Sequence, residues 1–238
     1  MPQISRTVRT TRPAVAALLA MACITSTGPV AADWRGTLDG GVTIGDASDA
    51  RRVRATLSEP SRPLTRTLGA EYIADPGRGD TFVLDGSLRY WLTRGAHGFI
   101  DTRLLRDEPL GIDRQWRVVA GPGYRWQRTP AGGLGIEAGA GVVSTRLDDG
   151  VSDGDESVGS IGLLRADGFR NVLDRLRLDA RMELARTDRL TELRGEVSVA
   201  LNLGGGTVRY TLQTRRVDPD RGAIRDETQG FVSIGYRF

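Results

Sequence analysis

The chain has 238 residues, with 33 basic and 30 acidic side chains for a formal net charge of +3, and 39% of its residues are hydrophobic. Every basic residue is arginine, and the three excess charges are Arg6, Arg9 and Arg12; the rest is near neutral, which excludes a charge-driven nucleic-acid partner. The one cysteine, Cys23, belongs to the same amino-terminal stretch, which excludes a disulfide framework or thiolate metal site elsewhere.

Residues 1–32 read as a cleaved export signal. The three arginines form a basic start with no acidic residue, and Pro13 to Ile24 is apolar. About a dozen residues is too short for a spanning helix but suits a signal core. Val30-Ala31-Ala32 offers small residues for cleavage, with a mature start at Asp33. A lipidated Cys23 is disfavoured because Ala20, not leucine, stands three residues before it. Beyond this segment no run approaches the length of a membrane helix. What remains is glycine-rich and alternates at short period, which fits one domain at 33–238, a closed membrane barrel or a soluble β-sandwich.

Alternation of apolar and polar residues marks a strand with two different faces. It places strands at Trp34–Ile44, Arg51–Ser58, Leu64–Ala74, Thr81–Thr93, Gly98–Arg106 and Arg114–Trp126 in the first half. The second half continues with Leu134–Leu147, Ser157–Ala166, Arg175–Arg186, Leu190–Leu203, Thr207–Arg215 and Gln229–Phe238. Glu59-Pro-Ser-Arg-Pro63, Asp75-Pro-Gly-Arg-Gly-Asp80 and Gly204-Gly-Gly206 carry turn chemistry. Longer connections are expected at Asp107–Asp113, Gln127–Gly133, Asp148–Glu156, Asp167–Asp174 and Arg216–Glu227. The facing of Ser157–Ala166 is not settled by pattern. The expected fold is all-β, a transmembrane antiparallel up-and-down barrel of about twelve strands, within a range of about 10–14.

The final stretch favours the barrel over the sandwich. Val232, Ile234, Tyr236 and Phe238 alternate with small or polar residues up to the last residue, the pattern of a closing strand that presents a signal to barrel-assembly machinery. One face of nearly every strand is free of charge, and Trp34, Tyr72, Phe82, Tyr90, Trp126, Tyr236 and Phe238 fall near strand ends, as interfacial girdles require. The other face carries both signs: Arg35, Asp39, Asp85, Arg89, Asp101, Arg103, Arg117, Glu137, Arg177, Asp179, Arg181, Glu183, Arg194, Glu196, Arg209 and Arg237. These are the expected lumen-lining residues. Arginines and carboxylates on neighbouring strands either fill the lumen with a salt-bridge network or line a charged permeation path.

Catalysis has one candidate centre, His97, with Ser87 and Asp101 as the nearest partners in sequence. It carries the alternative reading, a surface enzyme acting on lipid or peptide. The acidic run Asp148, Asp149, Asp153, Asp155 and Glu156 lacks the ligand order of a calcium loop and reads as solvated. The glycines within strands serve curvature rather than phosphate binding. No cofactor and no metal site is expected. Outer-membrane lipid, lipopolysaccharide and the assembly machinery are the expected partners, with the oligomeric state open.

Four segments resemble one family. They are Trp34-Arg-Gly36, Leu88-Arg-Tyr-Trp-Leu-Thr93, Val119-Ala-Gly-Pro-Gly-Tyr-Arg125 and Asp226 to Phe238. Together they are similar to the domain-of-unknown-function family four-eight-one, described as salt-induced outer-membrane proteins. The resemblance implies an outer-membrane barrel and brings no catalytic residues. The expected role is thus non-enzymatic, either envelope-structural or passive diffusion of small solutes or ions.

Overall fold

A computed structural model describes residues 34–43, 50–129, 131–147, 156–188, 190–219 and 224–238. The export segment at 1–32 and residues 148–155 of the acidic run lie outside the described residues. Twelve strands form the wall: β1 (Arg35–Thr43), β2 (Arg51–Glu59), β3 (Leu64–Asp75), β4 (Gly79–Trp91), β5 (Ala96–Asp107) and β6 (Ile112–Thr129), then β7 (Gly132–Leu147), β8 (Glu156–Leu173), β9 (Leu176–Thr187), β10 (Leu190–Leu203), β11 (Gly206–Pro219) and β12 (Arg225–Arg237). Each strand pairs antiparallel with its sequence neighbours. β1 and β12 then close the barrel, from Thr37 opposite Arg237 to Thr43 opposite Phe231. Closure leaves no sheet edge, so the wall satisfies its own backbone groups without help from solvent.

The two faces are inverted relative to a soluble protein. Leu92, Val142, Leu164, Met182, Val197, Ile234 and Tyr236 point outward and are exposed, whereas Asp101, Arg117, Glu137, Arg165 and Glu183 are buried inside. Charged groups are ordinarily outside and large aliphatics inside. The twelve-strand closed fold and its alternation thus agree with the sequence pattern.

Element ends depart from that pattern where polar residues prove to be wall. The connection expected at Asp167–Asp174 shrinks to residues 174–175, because β8 runs on to Leu173. Asp167 accepts from Arg125 Nη2 at 2.6 Å, and Phe169 lies under the Arg177 guanidinium at 4.3 Å, so both side chains serve the interior. Much of the loop expected at Arg216–Glu227 is likewise ladder, with Arg215 opposite Glu227 and Arg216 opposite Asp226. At Asp107–Asp113 a single 3-10 turn, Glu108–Leu110, suffices, and Ile112 packs inward against Val83 and Leu105. β6 and β7 also lengthen, leaving residues 130–131 between them.

The rims differ. At the rim carrying the β1 start and β12 end, connections fall at residues 60–63, 92–95, 130–131, 174–175 and 204–205. At the far rim they include the longer stretches 44–50, 148–155 and 220–224.

Two glycines permit close approach inside the wall. A Cβ at Gly141 would lie 1.8 Å from the Val118 carbonyl oxygen, and one at Gly121 would lie 2.0 Å from that of Ala138. The strands β6 and β7 can therefore bend together only without side chains there. Gly40 has nothing within 4 Å of such a carbon. Gly141→Ala should cost about 1–3 kcal/mol or more in overpacking, read as a lowered denaturant midpoint of the folded barrel, while Gly40→Ala should leave the midpoint unchanged.

Candidate functional site

Barrel closure brings charged side chains from distant strands into one interior. At its centre is Arg165 on β8. Its Nε and Nη2 donate to Glu183 Oε2 at 3.1 and 3.0 Å, and its Nη1 donates to Glu137 Oε2 at 3.0 Å and to Asp101. Each of these carboxylates has further arginine partners or none but Arg165. Glu137 receives Arg89 through two bonds of 2.6 and 3.1 Å, and Glu183 receives Arg117 at 2.5 Å, Arg103 at 3.5 Å and Arg181 at 3.5 Å. Arg103 also donates to Asp85 at 2.6 Å. The hub joins side chains from β4 through β9. Beside it an apolar cluster of Phe99, Val119, Val143, Ile161, Leu163 and Ala185 fills the same face.

Two smaller groups flank the hub. Arg52 lies 2.7 Å from Glu71 and 4.9 Å from the Phe231 ring centre, Arg54 donates to Glu196 at 3.4 Å, and Arg209 approaches Asp39 to 4.0 Å. Toward the far rim, Glu192 accepts from Arg194 at 2.5 Å and Arg215 at 2.6 Å, and Arg215 also pairs with Asp107. Asp107 is on β5 and Arg215 on β11, six strands apart in a wall of twelve. This pair therefore bridges opposite walls.

Cavities remain along the interior, among them three that follow one another between the rims. Near the terminal rim one of about 340 Å³ is bordered by Asp39, Asp167, Arg177, Asp179, Arg209 and Arg237 among others. A middle one of about 150 Å³ is lined by Arg54, Arg89, Arg103, Arg117, Arg165 and Arg181 against Glu71, Asp85 and Asp101. Toward the far rim one of about 60 Å³ is lined by Glu71, Asp75, Asp107 and Glu227 against Arg194 and Arg215. The first two share Arg54, Thr56 and Arg181 as wall, and the last two share Glu71.

The charged positions singled out from sequence fall as follows. Asp85, Arg89, Asp101, Arg103, Arg117, Glu137, Arg181 and Glu183 meet in the hub, and Arg194 lies with Glu192. Asp39, Arg177, Asp179, Glu196, Arg209 and Arg237 border the 340 Å³ cavity. Arg35 is exposed at the first position of β1. Sequence reasoning missed Arg165, which binds the rest together. Its strand mixes Ile161 and Leu163 with Arg165 on the inward face, so polarity does not separate the two faces. Arg52, Arg54, Glu71, Asp107, Glu192 and Arg215 also face the interior without having been named as lumen residues; two-residue parity puts Arg52, Arg54 and Glu71 on the polar faces of their strands and extends to Glu192 and Arg215.

His97 is buried, with Nε2 2.9 Å from Glu137 Oε1, Nδ1 3.4 Å from the Gly95 carbonyl and its ring 4.7 Å from that of Trp91. The residues weighed as its partners are engaged elsewhere: Ser87 Oγ accepts from Arg89 at 2.6 Å, and Asp101 is held by Arg165. The histidine is thus part of the network's packing. Of the terminal residues, Ile234, Tyr236 and Phe238 lie exposed on the outer wall, and Val232 shares their face beside Val42 of β1. Among the described residues, no group of three or more His, Cys, Asp or Glu side chains is arranged to hold a metal ion.

Removing the hub arginine would take the guanidinium from buried Asp101 and one partner each from Glu137 and Glu183. Loss of one partner from a buried ionic network costs about 3–5 kcal/mol, so Arg165→Ala should lower the denaturant midpoint sharply. The exposed Arg106–Glu108 pair at 3.2 Å should contribute at most about 1 kcal/mol, so Arg106→Ala serves as the comparison.

Comparison with known proteins follows the same outline. The model of the family described as "Protein of unknown function, DUF481" matches residues 71–238. The match begins in β3, so the Trp34-Arg-Gly36 segment lies outside it. No curated protein matches the chain. Among solved structures, the NanC porin is similar with a TM-score of 0.57 at 11% identity, over 84% of this chain and 98% of that one. An outer membrane channel from Pseudomonas putida F1 gives 0.49 at 13%, covering 86% and 94%. The KdgM porin in complex with disordered oligogalacturonate gives 0.48 at 10%, covering 85% and 99%. At these identities the likeness is one of fold.

Proposed function

The chain belongs to the DUF481 family, and we propose that it is a non-enzymatic outer-membrane barrel whose narrow charged lumen passes small solutes or ions passively. The observation that carries this is the inversion of its faces. A wall that exposes Leu92, Val158, Ile234 and Tyr236 over more than half of each side chain requires an apolar surround, and the interior it encloses is ionic and holds cavities in series. Tyr90, Tyr124, Trp126, Tyr236 and Phe238 lie toward the terminal rim, and Tyr72, Phe82 and Trp116 toward the other, as interfacial girdles would.

In this reading residues 1–32 are removed on export, lipid and lipopolysaccharide surround the wall, and Val232, Ile234, Tyr236 and Phe238 are what assembly machinery recognises. Short connections belong on the periplasmic side and longer ones outside, which puts the terminal rim toward the periplasm. The 60 Å³ cavity and the Arg215–Asp107 bridge then form the outer constriction, and the 340 Å³ cavity opens inward.

Planar-bilayer recording tests the passage, with heat-modifiable gel migration as the folding control. Wild-type barrel should give small stepwise conductance, and Arg215→Ala should raise it by unbarring the constriction. A folded barrel silent in both forms would leave an envelope-structural role in its place.

A further inference from the structure

The middle cavity presents a charge imbalance that the network as a whole does not have. Six arginines line it against three carboxylates, because Glu137 and Glu183 are recessed behind the arginines and almost fully buried. Two of the six are weakly engaged. Arg54 holds Glu196 by one contact of 3.4 Å and Arg181 holds Glu183 by one of 3.5 Å. Their side chains keep 28% and 41% exposure, although both point into the interior. A guanidinium carries five N–H donors, so most of those on Arg54 and Arg181 are left to the cavities. The two residues stand on β2 and β9, five strands apart in the twelve-strand wall, and each borders both the 340 and the 150 Å³ cavities. Arg54 reaches across to Glu196 on β10, the register partner of Arg181, and Glu183 lies two positions along β9 from Arg181, so each guanidinium is met by one carboxylate contact at the boundary.

We propose that Arg54 and Arg181 form a station for a small oxyanion, a carboxylate or phosphate group, at this boundary. Arg54 and Arg181 line the same two cavities with donors to spare, and an anion that reaches both takes charge-assisted hydrogen bonds of the forked kind arginine makes best. A cavity of about 150 Å³ admits an anion of a few heavy atoms and no polymer segment. As a solute preference the inference rests on the passage proposed above; as a binding site it stands on interior geometry alone.

Titration calorimetry on the purified folded barrel, with inorganic phosphate and then malonate at constant ionic strength, separates the two. Wild-type barrel should bind at least one of these saturably, and chloride should compete weakly. Hydrogen bonds from charged donors contribute about 1.5–3 kcal/mol, so Arg54→Gln with Arg181→Gln should weaken binding by about tenfold or more. Arg106→Gln, on the outer wall, should leave it unchanged. If the double variant does not fold, Arg181→Gln alone supplies the comparison, since that side chain is the less buried of the two. Saturable binding lost on these changes supports the station even if the barrel never conducts. Absence of saturable binding, or binding unchanged in the variants, overturns it even if the barrel conducts.

Discussion

Ion pairing across a confined interior is the interaction on which the structure depends. A closed sheet turns alternate side chains of every strand into one enclosed space, and here many of those side chains are charged. Such groups are tolerable out of bulk water only when opposite charges and hydrogen bonds meet them. Arg165 shows how closure supplies this. Its three carboxylate partners come from β5, β7 and β9, so no hairpin alone could assemble the site. Sheet geometry and charge distribution are thus mutually dependent: the barrel must close for the charges to pair, and the charges must pair for the barrel to stay closed.

The same pairing leaves the interior unevenly filled. Where Asp107 and Arg215 reach across from opposite walls the space contracts, and where Arg177 pairs with its own-strand neighbour Asp179 at 2.6 Å the space stays open. Same-strand pairs lie along the wall and cross-barrel pairs obstruct it.

Much of the fold was legible in the sequence because a two-residue period writes both faces of a strand directly. Strands such as β9, with Leu176, Leu178 and Met182 outward and Arg177, Asp179 and Arg181 inward, needed nothing more. Legibility failed where the interior is not purely polar. β8 turns Ile161 and Leu163 inward beside Arg165, so its faces look alike, and the residue that joins the network was overlooked. It failed also near the rims, where Asp167, Arg216 and Asp226 carry loop-like chemistry yet extend the ladder. Which arginine meets which carboxylate was beyond reach, since partners such as Asp107 and Arg215 are 108 positions apart.

The seam between β1 and β12 has seven facing pairs, against fourteen between β10 and β11. At its end the Phe238 amide donates to the Gly36 carbonyl at 3.0 Å and the Gly36 amide to the Phe238 carbonyl at 2.8 Å. The aromatic ring covers Gly36 so closely that a Cβ there would lie 2.2 Å from it. With fewer registered pairs than the other seams among the described residues, this junction of the first and last strands is the line along which the cylinder is most readily unzipped. It is also the contact of greatest sequence separation, so its loop-closure entropy is recovered only after the other strands are in place. The clasp of Phe238 on Gly36 is therefore the hem of the garment: stitched last, and the first place to fray.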